Sequence, residues 1–211
     1  MAETKIENQK ARGMQGLFPK PVKLIDLPRD FTKSELDFFC SLEERGNTGN
    51  TTSKDSRVLD GVVLSEIKKF CTREVNAFCE EVYKNSSDVE LYITQSWVNY
   101  NRPGQHHHEH SHSNSFISGV LYIHADEEFD RINFYNREHV WLKLDPTEYN
   151  VFNSESWFFP VGTGTLCLFP SNLKHAVPPN TQEYTRISLS FNSFLRGNMG
   201  SEDQLTHLSL P

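Results

Sequence analysis

The chain has 211 residues, 36% of them apolar and 12% aromatic, which suits a single domain with a sizeable, aromatic-rich core. Its net charge of -7 and pI near 5.7 disfavour a surface built to neutralise phosphates, and no run of Lys or Arg offsets this locally, so nucleic acid is not expected as a partner. The polar start "MAETKIENQKARGMQG" has no signal-peptide character and no apolar run approaches the roughly 20 residues of a membrane helix, so a soluble, cytoplasmic protein is expected.

Residues 1–16 lack apolar periodicity and read as a tail. "LFPKPVKLIDLP" (17–28) alternates apolar residues around two prolines, which suits an edge strand, where missing N–H donors are tolerated. A helix should follow, with Thr32 as N-cap, Glu35 completing a capping box, Phe38, Phe39 and Leu42 on one side and Gly46 as the stop. "TGNTTSKDSRVL" (48–59) reads as a polar loop. A longer helix over about 62–84 is marked by Val63, Ile67, Phe70, Val75, Phe78 and Val82.

Beyond residue 90 the pattern changes to short β-branched or aromatic runs separated by Gly, Pro and Asn: "ELYITQSWVNYN", "SFISGVLYIHA", "RINFYN", "HVWLKL", "GTLCLFP" and "TRISLSFN". The expected fold is α+β and mainly β, a jelly roll of antiparallel strands (90–195) preceded by a helical layer (17–89), with 196–211 as a C-terminal extension. Cys40, Cys71, Cys79 and Cys167 form no CxxC pair and are expected as buried thiols.

The segment "GQHHHEHSHSNS" (104–115) carries His106, His107, His108, His110 and His112, with Glu109 among them. On a strand, i and i+2 share a face, so any H-x-H or H-x-E pair could chelate one cation. Spacing alone leaves several registers open, and an arbitrary His-rich loop is more often solvated than functional. The later context counts for more: His175 lies just past a strand, and in "TRISLSFN" Arg186, Ser188 and Ser190 share one face while Ile187, Leu189 and Phe191 share the other.

Taken together, "LFPKPV", "GNTTSKDSRVLD", "SWVNYNRPGQHHHEHSHSNSFISGVLY", "GTLCLFPSNLKHAVPPN" and "RISLSFN" resemble the Fe(II)- and 2-oxoglutarate-dependent oxygenases, and most closely a small microbial and phage branch related to prolyl hydroxylases. The resemblance implies a double-stranded β-helix in which His110, six residues after Gly104, His112 and His175 hold the iron. It also exposes a departure, because His112 stands where most of the superfamily places a carboxylate, which leaves Glu109, paired with His107, as a second candidate. The same resemblance puts Arg186 and Ser188 on the distal carboxylate of 2-oxoglutarate, adds Tyr122 to that carboxylate, and places Asn99 at its metal end. His107 becomes a supporting residue, and His106 and His108 are left solvated.

The implied activity is hydroxylation of a C–H bond using Fe(II), 2-oxoglutarate and O2, with a prolyl residue of a peptide or protein, or else a small molecule, as substrate. Two other classes stay open at this point: a non-catalytic metal or 2-oxoglutarate sensor, and a structural jelly roll whose histidines are incidental.

Overall fold

The computed structural model describes residues 13–85, 88–137, 142 and 144–211. In chain order the elements are β1 (Lys23–Asp26), α1 (Lys33–Ser41), β2 (Glu44–Asn47), β3 (Asn50–Ser53), α2 (Ser65–Tyr83), β4 (Val89–Asn101), β5 (His107–His110), β6 (Ile117–His124), β7 (Arg131–Tyr135), β8 (Ser156–Pro160), β9 (Thr165–Pro170), β10 (His175–Val177), β11 (Arg186–Met199) and β12 (Leu208–Leu210). Two antiparallel sheets result. The larger runs β1-β9-β6-β11-β4-β3-β2, with β12 on the far end of β11, and the smaller runs β5-β10-β7-β8.

The helices begin where their chemistry dictates. Thr32 accepts from the Glu35 backbone N–H, and the Glu35 carboxylate accepts from the Thr32 N–H, which satisfies two amides that the first turn leaves orphaned. Arg29 grips the same carboxylate at 2.6 and 2.9 Å, and this ion pair holds Glu35 below the usual carboxylate range although the residue is buried. Helix α2 buries Ile67, Phe70, Val75 and Phe78 on one face, an arrangement that stabilises by roughly 6–12 kcal/mol at 1.5–3 kcal/mol per large apolar side chain.

Those helices cover one face of the large sheet, and the small sheet covers the other, so strand alternation divides the apolar residues into two cores. Val98, Leu121, Ile123, Leu168, Leu189 and Phe191 join the helical side. Val120, Tyr122, Ile132, Phe134, Val161, Cys167, Phe169 and Leu173 fill the space between the sheets. Gly119 marks a close approach in the helical-side core, since a Cβ there would lie 2.2 Å from the Phe191 ring. The central strand β11 is buried on both faces, so Arg186 is interior, not the outward residue of a half-exposed strand.

Several expectations from the sequence change. The first helix stops at Ser41, not at Gly46, and residues 44–53 form the hairpin β2–β3, where the end of that helix and the start of a polar loop (48–59) were expected. Gly49 turns that hairpin with φ of +87°, and its missing side chain leaves room for the His106 ring. Helix α2 starts at Ser65, after two short 3-10 turns, rather than near residue 62. Strand β11 continues through the expected domain end at 195 to Met199, and β12 pairs with it, so the C-terminal segment belongs to the sheet. Cys71, Cys79 and Cys167 are buried free thiols, whereas Cys40 is exposed. Most of "HVWLKL", expected as a strand, lies outside the described residues, as does most of the expected tail. Among the described residues no helix is long and apolar enough to cross a membrane.

Candidate metal centre

Three imidazoles meet where β5 and β10 pair. His110 stands directly across from His175 in the ladder, and His112 follows two residues beyond His110, so the donor nitrogens of all three lie within 4.8 Å of one another. The rings pack closely, with centroids 4.3 Å apart for His110 and His175 and 5.0 Å apart for His110 and His112.

Each ring is oriented by what its Nδ1 touches. His110 Nδ1 lies 2.8 Å from the His108 carbonyl and His175 Nδ1 lies 2.9 Å from the Leu173 carbonyl. His112 Nδ1 lies 2.5 Å from Asn192 Oδ1 and 2.8 Å from the Ser118 hydroxyl. Carbonyl oxygens only accept, so the Nδ1 facing each one carries the proton and the Nε2 lone pairs are left bare. His110 Nε2 and His112 Nε2 then face each other at 3.0 Å. Two lone pairs in that position repel unless a proton or a cation lies between them, so the donor set as folded fits a cation.

Burial keeps the rings neutral. Desolvation, reinforced by the neighbouring imidazoles, pulls His175 down to about 2 and His107 to about 3. His110 falls to about 4, again chiefly through desolvation, and His112 is lowered by the same cause against the opposing pull of Asn192. Neutral imidazole is the form that binds metal.

A cavity of about 450 Å³ opens onto His110 and His112. Trp97, Gln95, Arg45, Thr52 and Asn192 also line it, so the hairpin β2–β3 forms one wall. His107 stacks on His110 at 4.5 Å and 12°, and it too faces the cavity. His106 is exposed. His108 is not simply solvated, because it is half-buried, lines the cavity and approaches the Thr48 carbonyl at 3.4 Å. Glu109 is corrected more strongly: its carboxylate is ion-paired with Arg137 on the surface, with Arg137 Nε donating at 2.9 Å, and it is not part of the three-histidine group.

Residues 95–192 match the family model described as putative 2OG-Fe(II) oxygenase. The matched segment runs from β4 to β11, across the core strands of the jelly roll. No curated protein sequence matches the chain. Among solved structures, the chain is similar to an oxidoreductase of the 2OG-Fe(II) oxygenase family from Burkholderia pseudomallei, with 13% identity, a TM-score of 0.56 and coverage of 81% of this chain and 83% of that one. It is also similar to HygX from Streptomyces hygroscopicus, solved with nickel and 2-oxoglutarate, at 12% identity and TM-score 0.56 over 82% of each chain. A third similarity is to the epimerase SnoN of nogalamycin biosynthesis, at 12% identity and TM-score 0.54 over 77% of this chain and 72% of that one. At these identities the likenesses establish the fold.

The family's cofactors are Fe(II) and 2-oxoglutarate, with O2 as cosubstrate. The space between the sheets holds a row of polar side chains. Ser188 on β11 pairs with Asn99 on one side and Tyr122 on the other, which puts all three on the same face of the sheet. The Tyr122 hydroxyl and Asn99 Oδ1 are buried with no hydrogen-bond partner, as groups awaiting a polar ligand would be. Arg186 lies one step further along and is already engaged: Nη1 donates to Asp130 Oδ1 at 2.7 Å and Nη2 to the Pro178 carbonyl at 2.9 Å. Asp130, Tyr184, Asn192 and Ser118 were missed from the sequence. Asn192 alone carried a signal, because it extends the alternation of Arg186, Ser188 and Ser190 by one more step.

Proposed function

We propose that the protein is an Fe(II)- and 2-oxoglutarate-dependent dioxygenase that hydroxylates a substrate C–H bond, with a prolyl residue of a peptide or protein as the leading substrate class. The observation that carries this reading is the convergence of one donor nitrogen each from His110, His112 and His175 within 4.8 Å, each ring held by an acceptor at its Nδ1. In this reading the three would hold Fe(II). Bound there, Fe(II) and 2-oxoglutarate supply the oxidant for C–H hydroxylation, and 2-oxoglutarate leaves as succinate and CO2.

The chain's own residues do the positioning. Asn192 and Ser118 hold His112 in the tautomer that exposes Nε2. Tyr122, Asn99, Ser188 and Arg186 take the polar groups of 2-oxoglutarate, and Val120, Ile132, Phe134 and Phe169 keep that space dry. The cavity beside Trp97, Gln95 and Arg45 receives the substrate. Prolyl specificity rests on the sequence resemblance, and the cavity sets no tighter limit on the substrate.

The test is to load the protein anaerobically with Fe(II), add 2-oxoglutarate, admit O2 and measure succinate with and without candidate prolyl peptides. Turnover that disappears in His110→Ala, His175→Ala and Arg186→Ala is the expected result. Binding of metal and 2-oxoglutarate without turnover indicates a sensor, and no metal dependence at all indicates a structural jelly roll.

A further inference from the structure

The arginine expected to receive the cosubstrate's distal carboxylate is buried with a carboxylate of its own. The Arg186 and Asp130 side chains are 2% and 1% exposed and meet at 2.7 Å. Asp130 Oδ2 accepts from the Tyr184 hydroxyl at 2.6 Å and from the Asp126 N–H at 3.0 Å, so the carboxylate is fixed on both oxygens. The pair lies beside the interior polar row, because Arg186 stands two residues from Ser188 on the same face of β11, and Ser188 pairs with both Asn99 and Tyr122.

Charge decides what this means. Three neutral imidazoles leave a bound Fe(II) its full double positive charge, and 2-oxoglutarate brings two negative charges. Those four charges cancel by themselves, and an unpaired Arg186 would leave one surplus positive charge in a water-excluded interior, where it is costly. Asp130 removes that surplus. We propose that Asp130 is the residue that balances the charge of the assembled site, so that Arg186 acts on 2-oxoglutarate as a directional donor and not as a net cation, and the selectivity for a dicarboxylate is set by the pair. This inference rests on the proposed function and goes beyond it, since it assigns Asp130, and Tyr184 behind it, a part in cosubstrate selection.

The consequence is reciprocal. A carboxylate placed at the metal makes Asp130 one negative charge too many, and removing Asp130 makes Arg186 a net cation. The experiment is calorimetric titration, without O2, of Ni(II)-loaded protein with 2-oxoglutarate and with 2-oxobutanoate, which shares the metal-binding end and lacks the distal carboxylate. Asp130→Asn should tighten 2-oxoglutarate roughly tenfold or more while 2-oxobutanoate moves less than about threefold. His112→Asp should weaken 2-oxoglutarate roughly tenfold, and the double variant should return to within about threefold of the starting value.

A folded Asp130→Asn variant whose 2-oxoglutarate affinity is unchanged or weaker overturns the proposal and leaves Asp130 a structural counter-ion. Should Asp130→Asn fail to fold, His112→Asp decides alone, because its site faces the cavity: equal or tighter 2-oxoglutarate binding there overturns the proposal, and weaker binding supports it. Failure of the unaltered protein to bind 2-oxoglutarate overturns the proposed function itself, which is a different result from normal binding with no response at Asp130.

Discussion

Acidification should destabilise the metal-free protein well before its carboxylates titrate. His175, His107 and His110 are held neutral in the fold, at about 2, 3 and 4, whereas in the unfolded chain each takes up a proton near pH 6.5. Their folded values are depressed, so the stability they contribute is fully present above about pH 7. It is lost as the pH falls through 6.5 toward 4, the window in which only the unfolded chain binds protons. One unit below 6.5 each histidine costs about 1.4 kcal/mol, or about 4 kcal/mol for three. Solvent screening of the half-buried His107 and His110 reduces this to about 2–3 kcal/mol. For a chain of this size that lowers Tm by roughly 4–12 °C between pH 7.5 and 5.5. Thermal melts followed by circular dichroism in the presence of a chelator measure it directly, and His175→Gln should flatten the dependence by about a third. Glu35, held below the usual carboxylate range by Arg29, loses its contribution only at lower pH and does not intrude on this window. A Tm that falls by less than about 2 °C over the same interval would refute the claim that these imidazoles are buried and neutral.

Three further outcomes follow from the geometry. Asn192→Ala removes the acceptor at 2.5 Å that orients His112, and metal affinity measured by competition with a chelator should fall roughly 10–100-fold. Glu109→Gln breaks only the surface pair with Arg137, so metal affinity should stay unchanged and stability should move by less than about 1 kcal/mol; a lost metal site would reinstate Glu109 as a ligand. Gly119→Ala drives a methyl to 2.2 Å from the Phe191 ring in the helical-side core, which should cost about 1–3 kcal/mol and lower the melting midpoint by roughly 2–12 °C.

What could be read from the sequence depended on how local the deciding interaction was. Thr32 and Glu35 stand three residues apart, so their capping box was legible before any fold was known. The strands with β-branched or aromatic runs were legible for the same reason, and the sheet order that joins them was supplied by the family resemblance. The hairpin β2–β3 was not legible, because "ERGN" and "NTTS" carry no apolar alternation and are held by polar contacts, such as Asn50 to Asn101 at 3.5 Å and Arg102 to Thr51 at 2.9 Å. Spacing left the five histidines interchangeable; the resemblance chose His110 and His112 among them, and the pairing of His110 with His175, across 65 positions of chain, is the contact that brings the three together. Asp130 was invisible for a similar reason: it looks like one more charge in a polar turn until Arg186, 56 residues away, closes on it.

The most direct measurement is anomalous diffraction from crystals of the Ni(II)-loaded protein. One ion within about 2.0–2.2 Å of the Nε2 atoms of His110, His112 and His175 is the expected result. An ion held by His106, His108 or Glu109, with His112 unliganded, would contradict the three-histidine site on which the proposed chemistry depends.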